Sequence, residues 1–461
     1  MNQDVVSLVV ATSSIVAFPL IAYFVFKGTA FDISFIRDNP WPLIWYGQVF
    51  LILFPLIVVS ARGIENIQTL YTSQPGQELD VALITVITLF VYIISLGLSF
   101  RMFKLSRASV FVRYLSPREV IKIHRIAFGV SLISAFLLLV FYWGGYKHAF
   151  LFSIIENTSV LYVRLSNKYD SSVPSQLASI LMVGGYMVAA LGGYLGRLGY
   201  KRAWIYLWVA IFILAAPGDK APLVKGLLVW LLAKGSFLPK RTLSFRAIAF
   251  FVVVMVITLG GIYLVLQRQI PNLNAKVFAD YLLNRIGVGQ MAGMYETYSL
   301  YVGEGIPEGN YFWHILPGAK FFVDYIDYQK ALMMYTEGYG YSSMGVKNTY
   351  FVAEALAIGG LSLALVSPLI VAFSYALGLY IYLRFSSFLY GKHVAPIAAL
   401  PIYILSLDIT GGFSPFPLLK AVLLLMLQTA LLVFWWPLLR FFLVKKPFKT
   451  TKRHMNRRQV N

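Results

Sequence analysis

The segment from Gln267 to Tyr350 decides how this chain is organised; it begins QRQIPNLNAKVFADYLLNRIGVGQMAGMYETYSLYVGEG (267–305) and ends GVKNTY (345–350). Charged residues interrupt its apolar stretches, so most of it is too polar to cross a bilayer, whereas the sequence on both sides consists of long apolar runs. Binding and catalytic residues concentrate in loops that a rigid scaffold positions. We therefore predict one large loop, 267–349, on one side of a membrane, and expect the functional site there.

The composition indicates a membrane protein. The 461 residues are 59% hydrophobic and 13% charged, whereas soluble domains have about 25% charged and 45–50% apolar residues. The mean hydropathy is +0.72. We expect a single integral membrane domain, 1–461, without a separate soluble domain. The sequence has no cysteine, which excludes disulfides, thiolate metal sites and a cysteine nucleophile.

Apolar runs mark the predicted spans, since about 20 apolar residues cross a bilayer as a helix. We count about eleven runs of this kind, at 5–26, 41–60, 81–100, 126–146, 176–196, 203–217, 221–237, 247–266, 349–382, 394–411 and 418–443. The sixth and seventh are short, and the ninth contains Pro368, where a kink is expected. No basic segment precedes the first run, which we interpret as a retained helix rather than a signal peptide. The expected fold class is an all-α polytopic membrane protein with one large extracytoplasmic loop.

Basic residues set the predicted orientation. The C-terminal tail, 445–461, is rich in lysine and arginine, and loops of that kind stay in the cytoplasm. Alternation then puts the basic loop 101–125, the stretch Arg197–Arg202 and the turn 384–392 inside, with the N-terminus and the large loop outside. Topology and contact with anionic membrane lipids explain the net charge of +20, so we expect no nucleic-acid partner. The tail itself is expected to be disordered.

The first candidate site lies early in the large loop. Arg285, Gly289, Ala292 and Glu296 are spaced i, i+4, i+7, i+11 and share one face if the segment is a continuous helix. Small residues between a cation and a carboxylate leave a groove for a ligand or for another helix. Arg285 would hold a phosphate by two hydrogen bonds; alternatively, it forms a structural pair with Glu296.

Lys220 and Lys225 are the second candidate set, at the turn between the sixth and seventh predicted spans. Lys220 follows Asp219 at a predicted helix start, where a carboxylate can cap the helix. Lys225 lies about one turn further on in apolar sequence, and a lysine within a span is costly enough to suggest a functional site. The two would face a pyrophosphate at the membrane surface; alternatively, both side chains extend from a helix end to the aqueous interface.

Glu354 and His314 are the candidate bases. Glu354 lies about one turn into the ninth span and needs a partner, which Lys220, Lys225 or Arg285 could supply. It is either a general base tuned by burial and nearby cations or half of a structural ion pair. His314 is the only histidine of the large loop. No HExxH-type metal pattern and no nucleotide-binding motif is present, so we expect no metal site and no cofactor.

Aromatic residues are dense in the large loop. Rings with polar tips suit a membrane-interface belt, and they also suit stacking on sugar rings. They include Tyr295, Tyr298, Tyr301, Tyr311, Trp313, Phe321, Phe322, Tyr325, Tyr328, Tyr335, Tyr339 and Tyr341. Both interpretations stay open at the level of the sequence.

The chain resembles the Wzy-type O-antigen and oligosaccharide repeat-unit polymerases. The layout is similar over the whole chain, with about eleven helices and one large outer loop in the second half. Gly218-Asp-Lys-Ala-Pro-Leu is similar to the family's glycine–basic turn, with Lys220 where arginine is commoner. In the stretch 348–361, a glutamate is followed by a pair of glycines, as in the family: Glu354, Gly359 and Gly360.

One family pattern is not matched. Some members carry Arg-x10-Gly in their outer loops, whereas here the eleventh residue after Arg268 is Ala279 and the eleventh after Arg285 is Glu296. The arginine assignments therefore rest on the residues of this chain alone.

The resemblance implies a GT-C-like helical core and a glycosyltransferase that needs neither metal nor nucleotide. It would work at the outer face of a bacterial inner membrane and polymerise repeat units linked to undecaprenyl pyrophosphate. We expect Arg285, Lys220 and Lys225 to bind the pyrophosphate. Arg268 is a weaker candidate for the same role. The base would be Glu354 first, then Glu296 or His314. The family also allows a polysaccharide chain-length regulator as a partner.

Two alternatives stay open. An O-antigen ligase shares the layout and differs only in its acceptor. A lipid-linked oligosaccharide flippase or another transporter is the non-enzyme alternative, and it predicts charges along many helices and often internal repeats. The charges of this chain concentrate at one face, which favours the enzyme.

Overall fold

The computed structural model describes residues 3–36, 38–67, 70, 73–110, 115–173, 175–235, 274–315, 322–323, 327–337, 348–406, 409, 413 and 417–433. These residues are helical or lie in turns and contain no β-strand, although an isolated antiparallel bridge joins Thr29 to Ser106. The predicted span 247–266, Arg268 and the tail 445–461 lie outside the described residues.

The described helices fall into a few long ones and many short ones. In chain order they are α1 (Gln3–Phe26), α2 (Pro42–Arg62), α3 (Glu78–Met102), α4 (Arg107–Val110), α5 (Pro117–Trp143), α6 (Ala149–Ile155), α7 (Val160–Tyr169), α8 (Ser175–Arg197), α9 (Ala203–Ala215), α10 (Lys220–Lys234), α11 (Ala275–Gly287), α12 (Ala292–Val302), α13 (Phe312–Ile315), α14 (Tyr328–Glu337), α15 (Phe351–Tyr390), α16 (Ala395–Ala398), α17 (Leu400–Ser406) and α18 (Pro417–Val433).

Six of the described helices are long and apolar enough to cross a membrane: α1, α2, α3, α5, α8 and α15. They confirm an all-α protein embedded in a membrane. Helices α9 and α10 have only 13 and 15 residues, and the predicted span 394–411 is two short helices, α16 and α17, interrupted at Ala399. The count of eleven spans stays a prediction.

The helices α1, α2, α3 and α15 form one packed group. Its core is aromatic, because the fully buried Trp45 ring lies 5.3 Å from Phe26 and 5.6 Å from Phe31, measured between ring centroids. Phe31 in turn lies 6.2 Å from Tyr375 of α15. In lipid, helices gain little from excluding water, so dense side-chain contact of this kind holds them together.

The helices α5, α8, α9 and α10 form a second group. Glycines of α8 let its neighbours approach closely: a Cβ at Gly193 would lie 2.4 Å from the Trp230 carbonyl oxygen of α10, and one at Gly185 would lie 2.6 Å from Leu214 of α9. Small residues at helix interfaces permit this backbone proximity. Helices α16, α17 and α18 all contact α8 and so join the two groups.

One end of both groups is rich in lysine and arginine. We call it the basic end, and it is formed by the described residues of 27–41, 102–117, 198–202 and 391–394. Arg101 donates to the Val25 carbonyl oxygen at 2.9 Å, and Arg107 donates through Nε to Asp32 at 2.8 Å. Arg101 and Arg107 therefore connect α3 and α4 to the end of α1 and to the loop that follows it.

The opposite end, which we call the acidic end, is formed by the described residues of 63–77, 144–175, 216–219 and the segment 274–350. Arg62 at the end of α2 pairs with Asp280 of α11 at 3.4 Å. The Tyr298 hydroxyl of α12 donates to Asp80 of α3 at 3.0 Å. The described part of the large loop is thus folded onto the first helix group.

Helix α15 is broken near its start. Gly359 and Gly360 have non-helical backbone angles, and Gly360 lies at φ +64° and ψ −164°. Pro368, where a kink was expected, lies inside the continuous second part. That part, 361–390, is about 45 Å long at 1.5 Å per residue, more than the roughly 30 Å hydrocarbon core requires. The first part, 351–358, therefore has room to lie at the membrane surface of the acidic end.

Candidate functional site

The candidate site is built around α12, a helix of the polar segment that is buried from Ala292 to Leu300 except at Tyr298. Gly293 permits its position: the Gly293 N–H donates to the Asn348 carbonyl oxygen at 3.1 Å, and a Cβ at Gly293 would lie 2.0 Å from Cγ2 of Thr349. Any side chain at 293 would separate α12 from the segment that leads into α15. This contact brings Glu296 of α12 towards the first part of α15.

Two fully buried carboxylates, Glu296 and Glu354, lie near one phenol. Tyr328 of α14 shares a hydrogen bond of 2.7 Å with the Thr297 hydroxyl. Burial raises the pKa of Tyr328 above its usual value, and the charges of Glu354 and Glu296 raise it further. Tyr328 is therefore held as a neutral phenol between two acidic groups.

Glu354 is held in position by backbone. Its Oε2 accepts a hydrogen bond from the Phe413 N–H at 2.6 Å, and the Phe351 N–H at the start of α15 donates to the Ile409 carbonyl oxygen at 3.3 Å. A hydrogen bond from a backbone N–H to a carboxylate oxygen fixes the orientation of the carboxylate. The first part of α15 and residues 409 and 413 therefore act as one unit around Glu354.

The prediction that Arg285 and Glu296 share one helix face is wrong. Helix α11 ends at Gly287 and α12 begins at Ala292, so the two residues lie on different helices. The Gly289 N–H donates to the Asn284 carbonyl oxygen at 2.8 Å and closes the turn. Glycine has a poor helix propensity and forms such helix ends readily, so the glycine-rich stretch ends one helix instead of lining it.

Lys220 and Lys225 belong to α10, which packs on α8 and α9, whereas Glu354 belongs to α15, which packs on α3, α12 and α18. Asp219 stands at the N-cap position of α10 but makes no capping bond. Its carboxylate pairs instead with Arg164 of α7 at 2.9 Å. The predicted cap is therefore wrong, and the described contacts put the lysines and Glu354 in different helix groups at the same end of the molecule.

We call Glu296, Glu354, Tyr328 and Thr297 the acidic cluster. Four predicted binding or catalytic side chains are not placed against it, because Arg268 and the side chains of Lys220, Arg285 and His314 lie outside the described residues. The backbone of Arg285 lies in α11, which packs against α2, and that of His314 lies in the short α13.

The aromatic residues of the loop divide into two sets. Tyr295, Tyr311 and Tyr328 are buried and serve packing; the rings of Tyr311 and Tyr328 meet edge to face at 5.0 Å. Tyr301 and Tyr335 stay partly exposed and keep the capacity to stack on a ligand. The three buried tyrosines therefore fit neither the membrane-interface belt nor stacking on sugars, and both interpretations remain predictions for the exposed rings.

Several groups of the site have no signal in the sequence strong enough to single them out. Tyr328, Thr297 and Asp80 come from separate helices, and Phe413 contributes only its backbone N–H. A run of tyrosines indicates neither which ring is buried nor which carboxylate it meets.

Chemically, the acidic cluster provides two carboxylates, a neutral phenol and an aliphatic hydroxyl. Among the described residues, no group of three or more histidine, cysteine, aspartate or glutamate side chains could hold a metal ion. Carboxylates of this kind can take up or release a proton, and neutral hydroxyls can orient a polar substrate.

Comparison of the chain with protein-family models, with curated proteins and with solved structures gives no match. The fold and the site thus define only a broad class of protein. It is a helical membrane protein with a buried acidic cluster under a folded polar segment. Any narrower assignment has to be argued from the residues of this chain.

Proposed function

We propose that the chain is a GT-C-like glycosyltransferase that polymerises oligosaccharide repeat units carried on undecaprenyl pyrophosphate. One observation carries the proposal: the polar segment brings the buried Glu296 and Glu354 together around Tyr328 at the end opposite the basic end. A glycosyl transfer without a nucleotide needs a base of this kind at the outer surface, where lipid-linked glycans are exposed.

The proposed step forms one bond and breaks one. Glu354 takes the proton of an acceptor hydroxyl on the incoming repeat unit, and the hydroxyl oxygen attacks the anomeric carbon of the growing glycan. The bond from that carbon to the pyrophosphate oxygen breaks, and undecaprenyl pyrophosphate leaves. Lys220, Lys225, Arg285 and Arg268 would stabilise its negative charge.

Burial adds a requirement to this mechanism. Glu296 and Glu354 have no exposed surface, so an acceptor reaches Glu354 only when part of the covering layer moves. Helices α12 and α14 form that layer on the side of Tyr328. Closure of the layer over bound substrate would then exclude water, which otherwise competes as an acceptor.

The charge distribution supports the proposed location. The positive-inside rule favours an orientation with the basic end inside. In the proposed location, the polar segment would then lie at the outer face of a bacterial inner membrane, with the N-terminus outside. The count of eleven spans, which includes 247–266, is part of this proposal.

The test is polymerisation by the purified protein in nanodiscs with lipid-linked repeat units of its own host. We expect a ladder of products and release of undecaprenyl pyrophosphate. Glu354→Gln should lower the rate by about 10²–10⁴-fold, the usual contribution of a general base. Glutamine keeps an oxygen that can accept from the Phe413 N–H, so the unit around residue 354 should stay folded.

Glu308→Gln is the matched control, because Glu308 is an exposed carboxylate of the same segment; we expect it to polymerise at the wild-type rate. A ladder that persists in Glu354→Gln would remove Glu354 as the base. Absence of a ladder with transfer to a lipid A acceptor would indicate a ligase.

A transporter of lipid-linked oligosaccharides is the second candidate, and one observation favours it. Helix α15 is broken at Gly359 and Gly360, and the stretch 395–406 is also broken, at Ala399. Discontinuous helices line the substrate sites of many transporters. Movement of the repeat unit between leaflets of liposomes, without a ladder, would favour this function.

A further inference from the structure

A long groove lies between α5 and α9, away from the acidic cluster. Its volume is about 950 Å³, and its walls are mostly apolar. Leu132 and Ala135 line it from α5, and Ile205 and Val209 line it from α9. Ligand sites in proteins have volumes of this order, about 300–1,000 Å³.

The groove opens on the outer surface of the second helix group. Six of its lining side chains are large, apolar and substantially exposed, among them Trp208 at 62%, Phe212 at 50% and Phe128 at 38%. In a membrane, such a surface faces hydrocarbon, so a lipid chain can enter the groove sideways from the bilayer.

The end of the groove nearest the basic end is polar. His124 Nε2 lies 2.9 Å from the Tyr200 hydroxyl and 3.4 Å from the Tyr206 hydroxyl. When His124 Nε2 carries the ring proton, it donates a hydrogen bond to the Tyr200 oxygen. The Tyr200 hydroxyl proton is then available for a hydrogen bond to a ligand. Arg202 completes this end of the lining.

Arg202 supplies a positive charge at the mouth. Its side chain is exposed, and no ion pair among the described residues uses it. A guanidinium binds a phosphate by paired, charge-assisted hydrogen bonds. The mouth therefore matches an anionic headgroup, while the walls match an acyl chain.

The other end of the groove does not offer the same chemistry. His148 Nδ1 accepts from the Leu151 N–H at 3.3 Å, so Nε2 carries the proton and donates to the Phe212 carbonyl oxygen at 2.9 Å. Both ring nitrogens are thus occupied within the protein. A cation and a hydroxyl donor for a lipid headgroup are therefore present at the Arg202 end of the groove and not at the His148 end.

We propose that this groove is a specific site for one anionic phospholipid of the leaflet at the basic end. Its phosphate lies at Arg202 and Tyr200, and one acyl chain lies along α5 and α9. The site is separate from the acidic cluster, and the proposal does not depend on the proposed polymerase activity.

The test is native mass spectrometry of the full chain with two lipids that share acyl chains, phosphatidylglycerol and phosphatidylcholine. We expect one phosphatidylglycerol to be retained in preference to phosphatidylcholine. Arg202→Gln should lower the affinity for phosphatidylglycerol about tenfold, since a charge-assisted hydrogen bond contributes about that much. Lys201→Gln is the control, because Lys201 is the adjacent exposed cation and does not line the groove.

A second pair of variants tests the chain site. Ala135→Trp fills the groove and should abolish retention of the lipid, whereas Leu139→Trp, one turn further along α5 and outside the lining, should not. Equal retention of the two lipids, equal behaviour of Arg202→Gln and Lys201→Gln, or full retention in Ala135→Trp would each overturn the proposal. No retained lipid in the wild type would overturn it too, including the case in which another part of this chain fills the groove.

Discussion

At the scale of single residues, buried carboxylates in this protein are held by backbone N–H groups. Glu78 accepts from the Ile64 N–H at 3.1 Å and from the Gly76 N–H at 2.8 Å. Burial alone would raise the pKa of Asp32, but hydrogen bonds from Ser34, Gly28 and Arg107 outweigh it and lower the pKa below its usual value. Glu78 and Asp32 are thus each compensated by donors that the fold supplies.

His148 gives a prediction of pH dependence. Burial lowers the pKa of its imidazole below the usual 6.5, more than the hydrogen bond to the Phe212 carbonyl raises it. The unfolded chain therefore binds this proton at a higher pH than the folded chain. The stability that depends on neutral His148 is fully present above about pH 6.5 and is lost as the pH falls towards the lowered pKa.

We expect His148→Asn to lose less stability than the wild type between pH 7 and pH 5, measured by thermal unfolding in detergent. Asparagine can cap α6 through its side-chain oxygen but does not titrate. His393→Asn, at an exposed position, should keep the pH dependence of the wild type. An identical loss in His148→Asn and wild type would show that His148 does not titrate on unfolding.

At the scale of elements, lengths and ends of helices follow local sequence better than their breaks do. The capping box of Ser116 and Glu119 at the start of α5 is visible in the sequence as Ser-Pro-Arg-Glu and is formed as such sequences predict. The break in α15 falls at Gly359 and Gly360, although Pro368 is the more obvious breaker. Proline is tolerated in membrane helices because neighbours compensate for the lost hydrogen bond.

The conformation of Gly360 leads to a prediction about stability. Its backbone angles, φ +64° and ψ −164°, belong to a region that is essentially restricted to glycine, and other residues there cost about 1–3 kcal/mol. Gly360→Ala should lower the unfolding temperature of the protein and shift the first part of α15, with Glu354, out of place.

The matched control is Leu361→Ala, because Leu361 is the next residue and is 42% exposed. Thermal unfolding of the two variants in the same detergent checks the expectation. If Gly360→Ala unfolds at the wild-type temperature, residue 360 does not need the conformation described.

At the scale of the whole molecule, two ends of opposite character define the protein. The basic end holds Arg101, Arg107 and Lys122, and the acidic end holds Glu78, Asp80 and the folded polar segment. Two long-range contacts attach the polar segment to the acidic end: Arg62 pairs with Asp280, and the Tyr298 hydroxyl donates to Asp80.

The absence of native cysteine makes this division directly measurable. Single substitutions Glu308→Cys and Lys392→Cys put a thiol at exposed positions of the acidic and basic ends. In spheroplasts, a membrane-impermeant maleimide should label Glu308→Cys, and should label Lys392→Cys only after permeabilisation. The wild type measures background labelling. Labelling of both thiols from outside, or the reverse pattern, would contradict the proposed orientation.

The sequence by itself determined that the chain is helical, lies in a membrane and has a basic side, because each of these depends on sums over local residues: the length of an apolar run and the charge of a loop. It also singled out Glu354 as a carboxylate within a span and Glu296 as a further candidate in the large loop, and the structure buries both completely. It could not show that the helix face of Arg285 and Glu296 is interrupted, since the turn at 288–291 competes closely with a continuous helix.

Only the tertiary structure decided which groups meet. Glu354 and the Phe413 N–H are 59 residues apart, and Tyr298 and Asp80 are 218 apart. No local pattern encodes such contacts, because they depend on how several helices pack at once and on where a glycine such as Gly293 lets two backbones touch.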